Sequence, residues 1–186
     1  MSRPTAAVER VGFRVGAFAN APPRDRPDSP PASYGVPREG GTFIEWPDVV
    51  ERLRAASGYW IATVTPGGRP HVVPIWGVLV GDDLYLETGA PGTTKNRNLA
   101  LQPEIAVHLD GVDDVVLIRG RATPAAPDAE LGNALAASFH EKYAGYAPKP
   151  SDWDHGGLVR VEPETLLAWR DMPTATRWRF VRDAGP

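Results

Sequence analysis

Short runs of apolar and β-branched residues, separated by turn residues, dominate the chain after residue 58. The stretch YWIATVTPGGRPHVVPIWGVLVGDDLYLETG (59–89) contains the sequences TPGGR and GDD, which are typical of tight hairpin turns. It therefore predicts three consecutive antiparallel strands. EIAVHLD (104–110) and DVVLIRGRA (114–122) predict two more strands around a polar turn.

The C-terminal part continues this pattern. LVRVEPETLLAWR (158–170) predicts either a strand pair or one bent strand, and TATRWRFVR (174–182) predicts a last strand. Three other segments follow the helical period. Residues 43–58 predict a short amphipathic helix, residues 94–101 a second one, and DAELGNALAASFHEKYAG (128–145) the longest helix.

The second strand of the three-strand meander has no polar face. Val73, Ile75 and Leu79 lie on one side of it, and Val72, Trp76 and Val78 lie on the other. Because neither side is suited to bulk water, the strand predicts a sheet that is closed on itself or covered by a partner subunit.

The loop TGAPGTTKNRNLA places basic residues at the start of the second helix. The partial positive charge of a helix N-terminus favours acids in the first turn, yet this turn contains Lys95 and Arg97 and no acid. A bound phosphate would reverse that unfavourable interaction: Thr93 or Thr94 caps the helix, Lys95 supplies a charge, and Asn98 lies on the same face. The alternative is a solvated basic turn without a ligand.

The composition predicts how the chain is divided into domains and in which cellular compartment the protein lies. The segment from Ala21 to Pro37 contains six prolines among charged and small residues, which predicts an extended segment with little core. We therefore divide the chain into a flexible N-terminal arm, residues 1–42, and one domain, residues 43–186.

The net charge of −3 gives no general attraction for nucleic acid or an anionic membrane, and no apolar run is long enough to span a membrane. The absence of cysteine suits a reducing cytoplasm.

Most catalytic motifs are missing. The four histidines show no compact ligand spacing, so the sequence predicts no metal site. No G-x-S-x-G elbow supports a hydrolase, and the glycine-rich loop before Lys95 does not match the pattern of a nucleotide-triphosphatase. No individual catalytic residue is identified.

Several stretches together resemble the pyridoxamine 5′-phosphate oxidase-like split β-barrel family, especially its branch that uses flavins or the deazaflavin coenzyme F-420. They are ATVTPGGRPHVVPIW (62–76), LYLETG (84–89), GTTKNRNLALQPEIAVHL (92–109) and VVLIRGRA (115–122), with ATRWRF (175–180) as a weaker match. The resemblance implies a mainly β (α+β) fold, a split β-barrel of about six antiparallel strands with a few flanking helices. It also implies a homodimer with clefts at the subunit interface.

The same resemblance implies a set of cofactor-binding residues. The T-x-K-x-x-x-L pattern of Thr93, Lys95 and Leu99 would hold the cofactor phosphate, and the segment Val73 to Trp76 would run along the ring system. In full, the candidate residues are Val73, Pro74, Ile75, Trp76, Thr88, Thr93, Thr94, Lys95, Asn98 and Trp178. Trp76 would stack on the ring or, as an alternative, fill the core.

Such a cofactor supplies the hydride chemistry itself, which explains the lack of catalytic motifs. We expect an oxidoreductase that uses coenzyme F-420 on a small organic substrate. The alternatives are an FMN-dependent oxidase or reductase, and a non-catalytic flavin or haem carrier or sensor on the same fold.

Overall fold

The computed structural model describes residues 16–28 and 32–181, and these residues form a mainly β structure. The strands within them are β1 (Arg24–Asp25), β2 (Tyr59–Val64), β3 (Pro70–Val80), β4 (Asp83–Glu87), β5 (Glu104–His108), β6 (Val115–Pro124), β7 (Leu158–Trp169) and β8 (Thr176–Arg179). The α-helices are α1 (Trp46–Ala55), α2 (Thr94–Leu101) and α3 (Ala129–Lys142). Short 3-10 helices lie at Ala32–Tyr34, Pro150–Trp153 and Met172–Thr174.

Six strands close into an antiparallel barrel. Their order is β7-β4-β3-β2-β5-β6, and β6 pairs again with β7. β8 pairs with β7 outside this ring, and β1 pairs with β8. The predicted split barrel of about six antiparallel strands is therefore confirmed, and β7 is the strand that closes it.

β7 is one bent strand and not a strand pair. It runs for 12 residues, and its register against β6 shifts between Arg119 and Gly120, so that Glu164 is skipped in the pairing. A side chain at Gly120 would place its Cβ 2.1 Å from the carbonyl oxygen of Glu162. Only glycine fits at this bulge.

The two apolar faces of β3 pack into two separate cores. Ile75 belongs to the barrel interior, where it packs with residues such as Ile61 and Leu86. Val78 points the other way, into a second cluster that includes Leu135 and Phe139 of α3. The helix thus covers one end of the outer face of β3, while Val72, Pro74 and Trp76 further along this face remain exposed.

Part of the predicted N-terminal arm packs against the barrel. Phe18 is buried, with its ring stacked on Trp46 at 6.1 Å between centroids and edge-on to Phe180 at 6.0 Å between centroids. Its N–H donates to the carbonyl of Asp82 at 2.8 Å. Residues 1–15 and 29–31 of the arm lie outside the described residues.

A buried arginine fastens the next part of the arm to β8. The guanidinium of Arg177 donates to both carboxylate oxygens of Asp25, each at 2.7 Å, and to Asp28. These hydrogen bonds from Arg177 hold the pKa of Asp25 below its ordinary value. The short pairing of β1 with β8 is therefore reinforced by charge-assisted contacts.

The barrel splits where β3 runs past the beginning of β2. The pairing of β2 with β3 stops at Tyr59 and Ile75. β3 continues beyond this point and pairs with β4 from Trp76 to Val80. The backbone N–H and carbonyl of Gly77 bond instead to the hydroxyl of Tyr143 from the end of α3, both at 2.9 Å. One tyrosine therefore satisfies the strand edge that the split would leave unpaired.

Candidate functional site

A cleft of about 500 Å³ opens beside this split. It is lined by residues 57–60 at the beginning of β2, 74–76 of β3 and 87–89 at the end of β4, together with Lys95 of α2 and Asp110 after β5. A volume of this order suits a cofactor or a small organic molecule. The end of β4 and the start of α2 thus meet in one concave site.

The N-terminal turn of α2 faces this cleft through Lys95. Thr93 is the helix cap, and its hydroxyl accepts a hydrogen bond from the N–H of Asn96 at 3.4 Å. The first turn contains no acid, and the first N–H groups of a helix have no partner within the helix. The turn therefore combines N–H donors, a positive dipole end and a half-buried lysine, which together suit an anion.

Asn96 and Arg97 hold the loop that precedes α2. The side-chain nitrogen of Asn96 lies 3.2, 2.9 and 2.7 Å from the carbonyl oxygens of Thr88, Gly89 and Ala90. Arg97 donates back to the Gly92 carbonyl and, at 3.1 Å, to the hydroxyl of Thr94. Arg97 is thus engaged by its own loop, and Lys95 is the basic residue of this turn that lines the cleft.

Aromatic rings form one wall of the cleft. Trp76 is 46% exposed, and its ring stacks on Tyr143 with centroids 4.7 Å apart and planes 17° apart. Tyr146 lies at 5.1 Å from the same indole. Trp76 is therefore not a fully buried core residue, because only part of its surface is covered by the rings of α3 and the loop after it.

Five of the predicted cofactor-binding residues line the cleft: Pro74, Ile75, Trp76, Thr88 and Lys95. They come from β3, the end of β4 and α2. Segments far apart in the chain thus meet at one site.

The other five do not line this cleft. Thr93 and Thr94 lie at the helix start beside it, and Val73 packs against the barrel core. Asn98 is buried and donates to the hydroxyl of Thr63 at 3.0 Å, which ties α2 to β2. Trp178 is fully buried, with its ring 5.5 Å from Trp46.

The structure adds residues that the sequence analysis did not select. Glu87, Asp110, Ser57 and Trp60 also line the cleft. The signal for Trp60 was present, since it alternates with Tyr59 and Ile61 on a strand that runs next to β3. Glu87 and Asp110 were polar residues at strand ends, and nothing in their local sequence distinguishes such residues from solvated ones.

The described residues contain neither a metal-binding cluster nor a membrane-spanning helix. Within residues 16–28 and 32–181, no three His, Asp or Glu side chains are grouped so that they could hold a metal ion. No helix of these residues is long and apolar enough to cross a bilayer.

Comparisons with known proteins agree on one fold. A sequence model of the family described as pyridoxamine 5′-phosphate oxidase matches residues 46–170, whereas no curated protein sequence matches the chain. A conserved hypothetical protein from Mycobacterium tuberculosis is similar with a TM-score of 0.58 and 20% identity, over 72% of this chain and 89% of the other.

Two further solved structures share the fold. A haem storage protein from Vibrio cholerae aligns with a TM-score of 0.53 and 20% identity, over 66% of this chain and 92% of its own. General stress protein 26 from Bacillus anthracis aligns with a TM-score of 0.54 and 18% identity, over 71% and 95%. At these identities the likeness concerns the fold, while the family match covers more than half of the chain.

Proposed function

The chain belongs to the pyridoxamine 5′-phosphate oxidase family, and on that premise we propose that it is an oxidoreductase that binds a flavin-type cofactor by its phosphate. The family commonly binds flavins, and it includes oxidoreductases as well as haem-binding proteins that are not enzymes. We propose hydride transfer to or from a small organic substrate, with coenzyme F-420 as the cofactor and FMN as the alternative. The motif resemblance to the branch that uses flavins or coenzyme F-420 supports both cofactors. The cysteine-free sequence supports a cytoplasmic location.

The observation that carries the proposal is the position of Lys95. Its side chain lines the cleft at the first turn of α2, where Thr93 caps the helix and no acid balances the dipole. A lysine in this position is unfavourable for the helix by about 0.3–1 kcal/mol. A phosphate at the same turn makes the interaction favourable, and this supports a phosphorylated ligand.

The rest of the cleft suits a flat ring system. Trp76 and Pro74 form an apolar wall beside the phosphate-binding turn, and Trp60 adds a second indole. Apolar walls with a few polar groups are typical of cofactor clefts. A flavin-type cofactor supplies the hydride chemistry when bound; the chain's own residues bind its phosphate, orient its ring and limit the access of water.

The cleft favours such a cofactor over haem. Haem iron requires an axial ligand such as His, Cys, Met or Tyr. Tyr59 is the one residue of these types among the described residues of a single chain that line the cleft, and its hydroxyl donates to the carbonyl of Leu53 at 2.5 Å. Its oxygen is thus already engaged inside the fold.

Replacing Lys95 with alanine is the test of the phosphate site. The change removes a charge-assisted contact worth about 1.5–3 kcal/mol, so we expect cofactor affinity to fall by roughly ten- to a hundred-fold. Folding should survive, since the lysine opposes the helix dipole in the free protein. A fluorescence titration with FMN and with F-420, beside a thermal melt, measures both effects.

The exposed Lys149 provides the matched control, because Lys149→Ala should leave the affinity unchanged. Riboflavin, which lacks the phosphate, should bind wild type and Lys95→Ala equally. Equal affinity of wild type and Lys95→Ala for the phosphorylated cofactors would overturn the phosphate assignment. The absorption spectrum of protein purified from a host that makes both cofactors then distinguishes FMN from F-420.

We also propose a homodimer, because an apolar patch on the barrel is uncovered. Val72 is 49% exposed, and Pro74 and Trp76 follow it on the same outward face of β3. In register beside them, Ala62 and Trp60 of β2 extend the patch. Members of the family often form dimers, and a second copy would cover this patch and close one side of the cleft.

Replacing Val72 with aspartate should disrupt this dimer. A charge in the middle of an apolar interface lacks a partner there. We therefore expect the dissociation constant of the dimer to rise by at least tenfold. Sedimentation at micromolar concentration would show this rise as a shift from dimer to monomer. Val112→Asp, at a position 83% exposed in a loop, should leave the dimer intact. A wild-type monomer that still binds the cofactor would contradict the proposal and place the cleft within one chain.

A further inference from the structure

A carboxyl group beside the cleft has a buried oxygen without a partner. Glu87 is the last residue of β4 and lines the cleft, opposite Trp76 in the β3–β4 register. Its Oε1 bonds to the hydroxyl of Tyr146. Its Oε2 is buried and has no hydrogen-bond partner among the described residues. A buried polar atom of this kind requires an explanation.

Protonation of Glu87 is the simplest explanation for this unpartnered oxygen. An ionised carboxylate with one oxygen buried and unpartnered is costly, and the cost falls when the group becomes neutral. Burial raises the pKa of Glu87 above its ordinary value; the hydrogen bond from Tyr146 lowers it, and the nearby charge of Asp152 raises it further. Burial is the largest of these effects.

Among the described residues, no cation lies at ion-pair distance from Glu87. Tyr146 and Tyr143 approach Glu87 from α3 and the loop that follows it, and Asp152 approaches from the 3-10 helix Pro150–Trp153. Lys95 and Asp110 line the same cleft from α2 and from the loop after β5. No ion pair within the described residues includes Glu87, so charge pairing does not keep it ionised.

We propose that Glu87 is the proton-holding residue of the cleft, and that it presents its proton through the hydroxyl of Tyr146 to a hydrogen-bond acceptor on the bound ligand. When Glu87 is ionised, Tyr146 donates to Oε1. When Oε1 carries the proton, it donates to the Tyr146 oxygen, and the phenolic hydrogen becomes free to be donated to another acceptor. When the phenolic hydrogen moves to the ligand, the proton on Oε1 moves to the phenolic oxygen. Tyr146 is then neutral again and Glu87 is a carboxylate, which recovers a proton from solvent.

The inference rests on the proposed function, since it assigns the group that would supply a proton beside a hydride-transferring cofactor. Tyr146 lies next to the cleft, because its ring packs against Trp76, and Trp76 lines the cleft. The sequence motifs do not distinguish Glu87 from a solvated strand-end residue. Only its burial and its bond to Tyr146 do so.

Infrared titration without any cofactor tests the protonation. Ordinary glutamates ionise near pH ~4.3. A carbonyl band of a protonated carboxyl that persists above the range of ordinary glutamates should therefore be present in wild type and absent in Glu87→Gln. Glu130→Gln, at an exposed position on α3, should retain the band. Identical titrations of wild type and Glu87→Gln would overturn the inference.

Ligand binding across pH tests the relay. The Kd for FMN or F-420 in wild type should rise by up to tenfold per pH unit above the pKa of Glu87. Glu87→Gln, which keeps a donor, and Tyr146→Phe, which breaks the connection, should both flatten this dependence. A change in affinity that is independent of pH would show a merely structural role and overturn the relay alone. Absence of binding of either cofactor to wild type would overturn the proposed function, whereas the infrared result would still decide whether Glu87 holds a proton.

Discussion

Replacing Phe18 with alanine is expected to lower the free energy of unfolding by about 3–5 kcal/mol. Phe18 is buried between Trp46 and Phe180, and its carbonyl accepts a hydrogen bond from the indole of Trp46 at 3.2 Å. The truncation removes a ring from a packed aromatic cluster and leaves a cavity that the rigid barrel fills only in part. Urea unfolding followed by tryptophan fluorescence measures the change.

A matched control lies in the same N-terminal region. Tyr34 is 58% exposed, so Tyr34→Ala should change the stability by less than about 0.5 kcal/mol. Equal, small effects of Phe18→Ala and Tyr34→Ala would contradict a structural role for residues 16–28. They would instead support a dispensable arm, as the proline content alone suggests.

The sequence predicted the barrel strands well because their signals are local. Alternating apolar residues and the turns TPGGR and GDD determine β2, β3 and β4 with bounds close to those observed. The bounds of α2 were also correct, because Thr93 and Pro103 delimit it. The sequence left open whether residues 158–170 form one strand or two, since the bulge opposite Gly120 depends on a register that only the closed barrel defines.

The site was less predictable because its residues are assembled by tertiary packing. Phe18 is a single aromatic residue without periodic neighbours, so nothing in its segment indicates a core position. Trp178 was selected through a motif resemblance, but β8 pairs with residues 165–168 of β7. The indole of Trp178 is buried in the barrel core, where it packs on Trp46. Asn96 holds three carbonyl oxygens of the loop before α2, a role that no spacing rule for helices would indicate.

The cleft and the split of the barrel have a common cause. β2 ends its pairing with β3 at Tyr59 and Ile75, so the following stretch of β3 presents a free edge at Gly77. α3 covers this edge with Tyr143, and the same ring supports Trp76 at the wall of the cleft. A residue that satisfies the backbone therefore also orients the ligand-facing indole.

Replacing Tyr143 with phenylalanine should consequently lower the free energy of unfolding by about 2–6 kcal/mol. The change keeps the ring but removes the hydroxyl, which leaves the N–H and the carbonyl of Gly77 buried without their partner, and each such group costs about 1–3 kcal/mol. Denaturant unfolding measures the loss, and Tyr34→Phe, the same chemical change at an exposed ring, should be neutral. Since Trp76 rests on Tyr143, its fluorescence should also change in Tyr143→Phe and not in Tyr34→Phe. A Tyr143→Phe variant as stable as wild type, with an unchanged Trp76 signal, would show that the hydroxyl does not hold the split edge of the barrel.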